Sequence, residues 1–453
     1  MCHLHFVGIG GDGMSGLARV CKELGYHVTG SNIEENQRTL ELRKLGISVY
    51  IGHREENLGG ADTVILSSAI APDNCEWQAA RRRSLRILHR LELIRELSES
   101  YFTVGVGGTH GKTTTTCMVA TLLEQSGRDP SFLIGAATPT LGCNAKYGSG
   151  GYLVAEIDES DGHFLELHPQ ICVITNIGCD HLNHYRSEQE IVASFAQFLR
   201  QSQCGILCAD DPNSGSLLHQ LPRVHSFGLA RPADLMADRI RLDRFASRFD
   251  LIWRGRRVLE SVHLHVPGRH NVYNALAAML AGHQMGLEFV QMAQILAEFE
   301  LPERRFQVVA QNGMMLVDDY AHLPEQIETN LETIRSGWQP RRVIALFQPH
   351  RYTRTQYING RFGRSFDLAD IVVVTDIYPA FESPIPGINA HLIVNSIRSR
   401  RRSVHYLPAP EELLCFLQRT ARPGDFIIGF GAGDLWKVLY QFADHQKSRT
   451  ERT

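Results

Sequence analysis

Absences narrow the options for this chain first. No apolar run approaches the ~20 residues that a membrane-spanning helix needs, so no insertion into a bilayer is expected. No basic segment with an apolar core precedes the first strand-like residues, His5-Phe6-Val7, and the expected location is the cytoplasm. The ten cysteines include no C-x-x-C pair, and Cys204 and Cys208 are the nearest approach to a cluster. That pattern argues against a zinc site and for reduced, mostly buried thiols. A net charge of −3 gives no general electrostatic pull toward nucleic acid or an anionic membrane. No repeat with a period of about 20–50 residues and no low-complexity tract is present.

What remains is the composition of a folded protein, 43% hydrophobic and 21% charged over 453 residues, long enough for about three domains. Short apolar runs alternate with helical patterns, which predicts parallel, doubly wound α/β sheets. The expected domains are 1–98, 99–300 and 301–453. In the first, strands are expected at His5–Val7, Tyr26–Thr29, Ser48–Tyr50 and Thr63–Ser67, with a closing helix over His89–Ser100. Tyr152–Ala155 and Ile171–Thr175 are expected strands of the second, which ends near the helix Asn271–Met285. Met315–Val317, Arg342–Phe347, Ile371–Thr375 and Phe426–Gly429 are expected strands of the third. The charged tail after Asp444 is expected to fray.

Residues 105–116, Gly-Val-Gly-Gly-Thr-His-Gly-Lys-Thr-Thr-Thr-Thr, carry the strongest chemical signal. A glycine-rich turn between a strand and a helix lets backbone N–H groups close around phosphate oxygens, and the helix N-terminus adds partial positive charge. Lys112 is placed to reach the β- and γ-phosphates and Thr113 to offer its hydroxyl to Mg²⁺. The strict loop pattern has a glycine where Val106 stands. A nucleoside triphosphate is the expected ligand.

Other motifs sit at strand ends. Gly8-x-Gly10-x-x-Gly13 opens a helix after the first strand, the context of a dinucleotide or other diphosphate turn. The second strand ends in Ser31-Asn32 without the acid that would hold a nicotinamide cofactor's ribose. Val154-Ala155-Glu156-Ile157-Asp158-Glu159-Ser160-Asp161 gathers acids whose repulsion a hard cation such as Mg²⁺ or plain solvation would relieve. Asp180 and His181 follow another strand. Asn271 and Asn274 share a helix face, either to cap the helix or to reach a base. Arg351 and Arg354, beside His350, are paired at i, i+3 and suit a small anionic ligand.

Taken in order, these motifs resemble the Mur ligases of bacterial cell-wall synthesis over nearly the whole chain. The resemblance rests on Gly8–Gly16, Ser67–Ile70, Gly108–Thr113, Asp158–Asp161, Asp319–His322 and Phe347–Thr355. It implies an N-terminal Rossmann-like domain, a central P-loop ATPase α/β domain and a C-terminal Rossmann-like α/β domain. The implied activity is ATP- and Mg²⁺-dependent joining of L-alanine to UDP-N-acetylmuramate through an acyl phosphate, by a monomer or homodimer. The sibling ligase that attaches a recycled peptide, a dehydrogenase built on the Gly8 turn, and a non-catalytic nucleotide-binding module are the alternatives.

Residue by residue, the resemblance assigns the UDP-sugar to Gly8, Gly10, Gly11, Gly13, Met14, Ser15, Ser31, His53, Ser67, Ser68, Ala69 and Ile70, with Asp158, Glu159 and Ser160. ATP falls to Gly108, Thr109, His110, Gly111, Lys112, Thr113, Thr114, Asn271, Asn274, Arg305 and Asp319. The metal falls to Thr113, Glu156 and His181. Tyr320, His322, His350, Arg351 and Arg354 would line the amino-acid site, and Lys112, Glu156, His181, Arg305 and Asp319 would be catalytic. His322 or His350 is a candidate base for the amine. The chain departs from the family at Leu323, usually histidine, and Asn32, usually aspartate. It has no lysine between Lys146 and Lys437, so the carbamoylated lysine that bridges two metals in several Mur ligases has no counterpart here.

Overall fold

Parallel strands in the middle of a sheet are covered on both faces and need apolar side chains throughout. Thr63–Leu66, Ile171–Ile174 and Ile371–Val374 have that composition and form such strands. The computed structural model describes residues 2–67, 69–160, 162–180, 184–220, 223–380, 382–400 and 403–450.

Three sheets follow one another along the chain. The first is wholly parallel, with β1 (His3–Val7), β2 (His27–Asn32), β3 (Ser48–Ile51), β4 (Thr63–Leu66) and β5 (Arg86–His89) in the order β3-β2-β1-β4-β5. Strand order reverses between β1 and β4, where doubly wound sheets open a crevice for ligands. The second sheet contains β6 (Phe102–Gly107), β7 (Ser131–Leu133), β8 (Ala145–Lys146), β9 (Tyr152–Glu156), β10 (Ile171–Ile174), β11 (Cys204–Cys208), β12 (Val224–Gly228), β13 (Leu235–Leu242), β14 (Ser247–Trp253) and β15 (Arg256–Leu264). Their order is β15-β14-β13-β12-β11-β10-β6-β9-β7-β8, with β6 between β10 and β9. The third sheet holds β16 (Gln307–Gln311), β17 (Met315–Asp319), β18 (Arg342–Phe347), β19 (Ile371–Val374), β20 (Val404–Tyr406) and β21 (Asp425–Phe430), in the order β16-β17-β21-β18-β19-β20. Only β16 pairs antiparallel there.

The helix Lys112–Gln125 is buried from Thr113 to Leu123, and the helix Arg269–Gln284 packed against it is buried over Ala275–Gly282. A helix covered on every side belongs to the core, so the turn at its N-terminus is carried on a core element. Two of its buried threonines are satisfied, Thr116 Oγ1 donating to the Lys112 carbonyl at 2.8 Å and Thr115 Oγ1 to Asn274 Oδ1 at 3.3 Å, whereas Thr121 Oγ1 has no partner among the described residues.

Two expectations are corrected. The C-terminal helix runs from Trp436 to Thr450 instead of fraying after Asp444, anchored by buried Val438, Leu439, Phe442 and Ala443. Of the ten free cysteines only Cys21, Cys117, Cys172 and Cys208 are buried, while Cys2, Cys75 and Cys415 lie exposed on peripheral elements. No helix among the described residues is long and apolar enough to cross a membrane.

Candidate active site at the carboxyl edges of the sheets

The turn after β6 is shaped by backbone that only glycine adopts easily. Gly108 and Gly111 have φ of +123° and +79°, and a Cβ on Gly111 would collide with Asn274 Oδ1. Asn176, after β10, accepts from the His110 amide at 3.0 Å through its side chain and from the Thr109 amide at 3.0 Å through its carbonyl. Burial pushes the His110 imidazole down to about 4, so that ring is neutral.

Lys112 Nζ donates to the Gly108 carbonyl at 2.6 Å and lies 3.0 and 2.9 Å from the two Glu159 oxygens. Burial opposes the ammonium, but the Glu159, Asp158 and Glu156 carboxylates outweigh it and hold its pKa above the ordinary lysine value. Thr113 Oγ1 donates to Glu156 Oε1 at 2.9 Å, and the Gly135 amide donates to Glu156 Oε2 at 2.6 Å. Glu159 and Asp158, assigned by resemblance to the sugar nucleotide, each hold a basic side chain in this structure. Glu159 pairs with Lys112, while Asp158 accepts from Arg90 Nη2 at 2.7 Å and from the Ser160 amide at 3.0 Å. His181, Ser68 and Asp161 lie outside the described residues.

The third sheet presents its carboxyl edge to this loop. Arg305 Nη2 donates to Thr113 Oγ1 at 3.2 Å, and its guanidinium lies 4.8 Å from the Tyr320 ring centre. Between the two sheets is a cavity of about 400 Å³ whose lining includes His110, Gly111, Thr113, Thr114, Asn271, Asn274, Arg305 and Asp319. Neither asparagine caps its helix, since the N-cap is Gly268. Asn271 Nδ2 donates to the Pro267 carbonyl at 2.7 Å and Asn274 Nδ2 to Asn271 Oδ1 at 3.0 Å. Asp319 is buried and accepts from the Phe306 and Ala321 amides at 2.7 and 2.8 Å and from Asn330 Nδ2 at 3.0 Å. Burial raises its pKa, and Arg305 opposes that rise.

At the same edge, His322, His350 and Arg354 gather beside Asp180 of the second sheet. The His322 and His350 rings are 5.7 Å apart, and His350 stacks on Tyr378. The Arg354 fork, expected on a small ligand, lies 3.3 Å from each Asp180 oxygen, and its Nη1 donates to His350 Nδ1 at 3.0 Å. Arg351 has φ of +70° and a buried Nε without a hydrogen-bond partner. For a non-glycine residue that backbone stores strain, which the surrounding structure must impose. Its amide donates to the Tyr378 carbonyl at 2.9 Å.

In the first sheet, Gly8 has φ of +81° and packs against Ser67 and Ile70 across the β1–β4 switch point. The Gly10 amide donates to Asn32 Oδ1 at 3.1 Å, the Gly11 amide to the Gly8 carbonyl at 3.2 Å and the Ser15 amide to the Gly11 carbonyl at 2.9 Å. Met14 is buried below this turn, and the Ala69 amide bonds Ser67 Oγ at 3.3 Å. A Cβ on Gly13 would meet Arg90 Nη1. Arg90 therefore lies over the glycine turn, and its place just after β5 is the sequence signal that could have flagged it.

Glu76 was also missed. Its carboxylate is fully buried and accepts from Ser31 Oγ at 2.5 Å, the Arg54 amide at 3.0 Å and Asn57 Nδ2 at 2.6 Å. Since Ser31 spends its proton on Glu76, His53 Nδ1, 2.9 Å away, donates to Ser31. Burial works to raise the Glu76 pKa, yet hydrogen bonds from His5, Ser31 and Asn57, with the His53 ring close by, hold it well below the usual carboxylate range. A depressed folded pKa contributes stability that is present above the unfolded value near 4.5 and lost as pH falls toward the folded one. Glu76→Gln should therefore lower stability by about 3 kcal/mol at neutral pH. Calorimetry should show the gap to the wild type narrowing as the pH drops below that unfolded value.

The pattern described as "Mur ligase family, catalytic domain" matches residues 3–102, "Mur ligase middle domain" 106–282 and "Mur ligase, glutamate ligase domain" 304–433. The UDP-N-acetylmuramate–L-alanine ligase of Pelotomaculum thermopropionicum is 45% identical over 96% of this chain and 96% of its own. The ligase of that name from Syntrophotalea carbinolica is 42% identical over 98% of each. The solved structure of UDP-N-acetylmuramate–alanine ligase from Thermotoga maritima is 31% identical, with a TM-score of 0.86, covering 99% of this chain and 100% of that one. The chain belongs to the Mur ligase family.

Proposed function

We propose that this protein is the ligase that joins L-alanine to the lactyl carboxylate of UDP-N-acetylmuramate, consuming ATP and releasing ADP and phosphate. The observation that carries the reading is the facing of two sheet edges across one cavity, lined by His110, Gly111, Thr113 and Thr114 on one side and by Arg305 and Asp319 on the other, with Glu156 bonded to Thr113 behind it. A carboxylate is a poor electrophile, and phosphorylating it supplies a leaving group. The lactyl carboxylate attacks the γ-phosphorus, and the amine then attacks the acyl phosphate. Lys112 and the loop amides stabilise charge on the transferring phosphoryl group, an electrostatic and positioning task. Third-domain residues Arg305 and Asp319 close the site against water, which would hydrolyse the acyl phosphate.

The oxygen donors Thr113 Oγ1 and Glu156 Oε1, 2.9 Å apart beside the phosphate loop, fit Mg²⁺, which binds through few protein ligands and several phosphate oxygens. Bound there, the ion would neutralise charge on the phosphates. In this reading the glycine turn, Ser31, His53, Ser67–Ile70 and Arg90 hold the UDP-sugar. Residues 108–114 with Asn271, Asn274, Arg305 and Asp319 hold ATP, and Tyr320, His322, His350, Arg351 and Arg354 serve the amino acid. The domain limits are 1–98, 99–300 and 301–453. The enzyme works on small molecules in the cytoplasm, without nucleic acid, as a monomer or homodimer. The test is phosphate release from ATP, Mg²⁺ and UDP-N-acetylmuramate with L-alanine, glycine, L-serine or a muropeptide. L-Alanine should give the highest kcat/KM, and a preference for the muropeptide would overturn the assignment.

Arg351→Lys should raise the KM for L-alanine about tenfold to a hundredfold and leave that for ATP nearly unchanged. Lysine keeps the charge but loses the planar fork that grips a carboxylate at two points, a loss of about 1.5–3 kcal/mol. Initial rates against each substrate check this, and a rise confined to ATP would move Arg351 to the phosphates.

A further inference from the structure

The hydrogen bonds of His322 and His350 give the two imidazoles opposite tautomers. His322 Nδ1 lies 2.9 Å from the Tyr320 carbonyl. A carbonyl only accepts, so Nδ1 carries the proton and Nε2 of the neutral ring carries a lone pair. His350 Nδ1 lies 3.0 Å from Arg354 Nη1. A guanidinium only donates, so here Nδ1 is the acceptor and the proton sits on Nε2. One ring can take a proton at its outer nitrogen, and the other can only give a hydrogen bond there.

Both rings are held neutral. Burial first, then Arg354 and His350, hold His322 well below the ordinary imidazole value, and burial with Arg354 and Arg351 pushes His350 down to about 3. The groups facing His322 are Tyr320 before it, Gln326 on the helix Pro324–Gly337, His350 and Arg354, and Asp180 from the loop after β10. Asp180 is the anion among these, and Arg354 already pairs with it. No described residue forms a hydrogen bond with His322 Nε2.

Resting on the ligase reading above, we propose that His322, and not His350, is the base for the incoming amine, while His350 Nε2–H donates to an anionic substrate oxygen. L-Alanine reaches the acyl phosphate as the neutral amine, having left one proton in solvent. Its nitrogen forms the C–N bond to the acyl carbon and becomes positively charged and acidic. His322 Nε2 takes that proton. The C–O bond to the phosphate oxygen breaks, phosphate leaves with the electron pair, and His322 passes the proton to it. Substrate anions in the filled site raise the basicity of His322 for this step.

The experiment compares two outcomes of the same acyl phosphate in the full-length enzyme: ligation to L-alanine, and trapping by hydroxylamine, whose weakly basic nitrogen sheds its proton to water unaided. His322→Asn keeps an amide donor for the Tyr320 carbonyl and removes the lone pair. It should cut ligation about 10²–10⁴-fold, the range of a lost general base, with hydroxamate formation falling by about tenfold at most. His350→Gln keeps a donor near the position of Nε2 and should disturb the ratio of ligation to hydroxamate about tenfold less than His322→Asn. Equal loss of both reactions in His322→Asn, or a deeper loss of the ratio in His350→Gln, would overturn the proposal. A wild-type enzyme that forms neither product would instead overturn the ligase reading itself.

Discussion

Lys112→Ala is expected to lower turnover about 10²–10³-fold, the scale seen when a preorganised donor is removed from developing charge. Lys112 is held at the phosphate loop by the Gly108 carbonyl and both oxygens of Glu159, so its ammonium is fixed where the transferring phosphoryl group would pass. Its removal also breaks the buried pair with Glu159, and breaking such a pair costs about 3–5 kcal/mol. The two effects separate in the double variant Lys112→Ala with Glu159→Gln, which should regain stability without regaining turnover. Binding of the UDP-sugar, measured by calorimetry, should persist in both, because the glycine turn after β1 belongs to another sheet. A matching loss of UDP-sugar affinity would show that the two sites are not separate.

Asp319→Ala is expected to be the third-domain change that costs the most stability. Its carboxylate accepts from the Phe306 and Ala321 amides and from Asn330, and Phe306 and Arg304 on either side of Arg305 have φ of +47° and +58°. Asp319 thus holds the strained segment that aims Arg305 at Thr113. Without it, buried N–H groups lose their acceptor at about 1–3 kcal/mol each, and Arg305 loses its fixed approach. Stability should fall by about 3–5 kcal/mol and turnover by about 10²-fold. Asp319→Asn, which keeps one acceptor oxygen, should lie between. Thermal unfolding and kcat check both, and a stable, active alanine variant would reduce Asp319 to part of the cavity wall.

What could be read from the sequence divides along a physical line. The phosphate loop was legible because its chemistry is local: the glycines, Lys112 and Thr113 lie within one turn between β6 and its helix. Parallel strands such as Arg342–Phe347 were legible as continuous apolar runs. The β13–β15 meander was not, because its register shifts break the alternation that marks an antiparallel strand. Glu76 escaped because its partners His5, Ser31, His53, Arg54 and Asn57 come from distant segments, and only folding brings them to one carboxylate. Asn271 and Asn274 left capping and ligand contact open, and the structure removes capping. The tautomers of His322 and His350 depend on a carbonyl and a guanidinium that no residue pattern displays.

The central claim, activation of the lactyl carboxylate as an acyl phosphate, is tested most directly by labelling that carboxylate with ¹⁸O. With ATP, Mg²⁺, L-alanine and labelled UDP-N-acetylmuramate, mass spectrometry of the released phosphate should find one labelled oxygen for each amide formed. Unlabelled phosphate accompanying ligation would contradict the account.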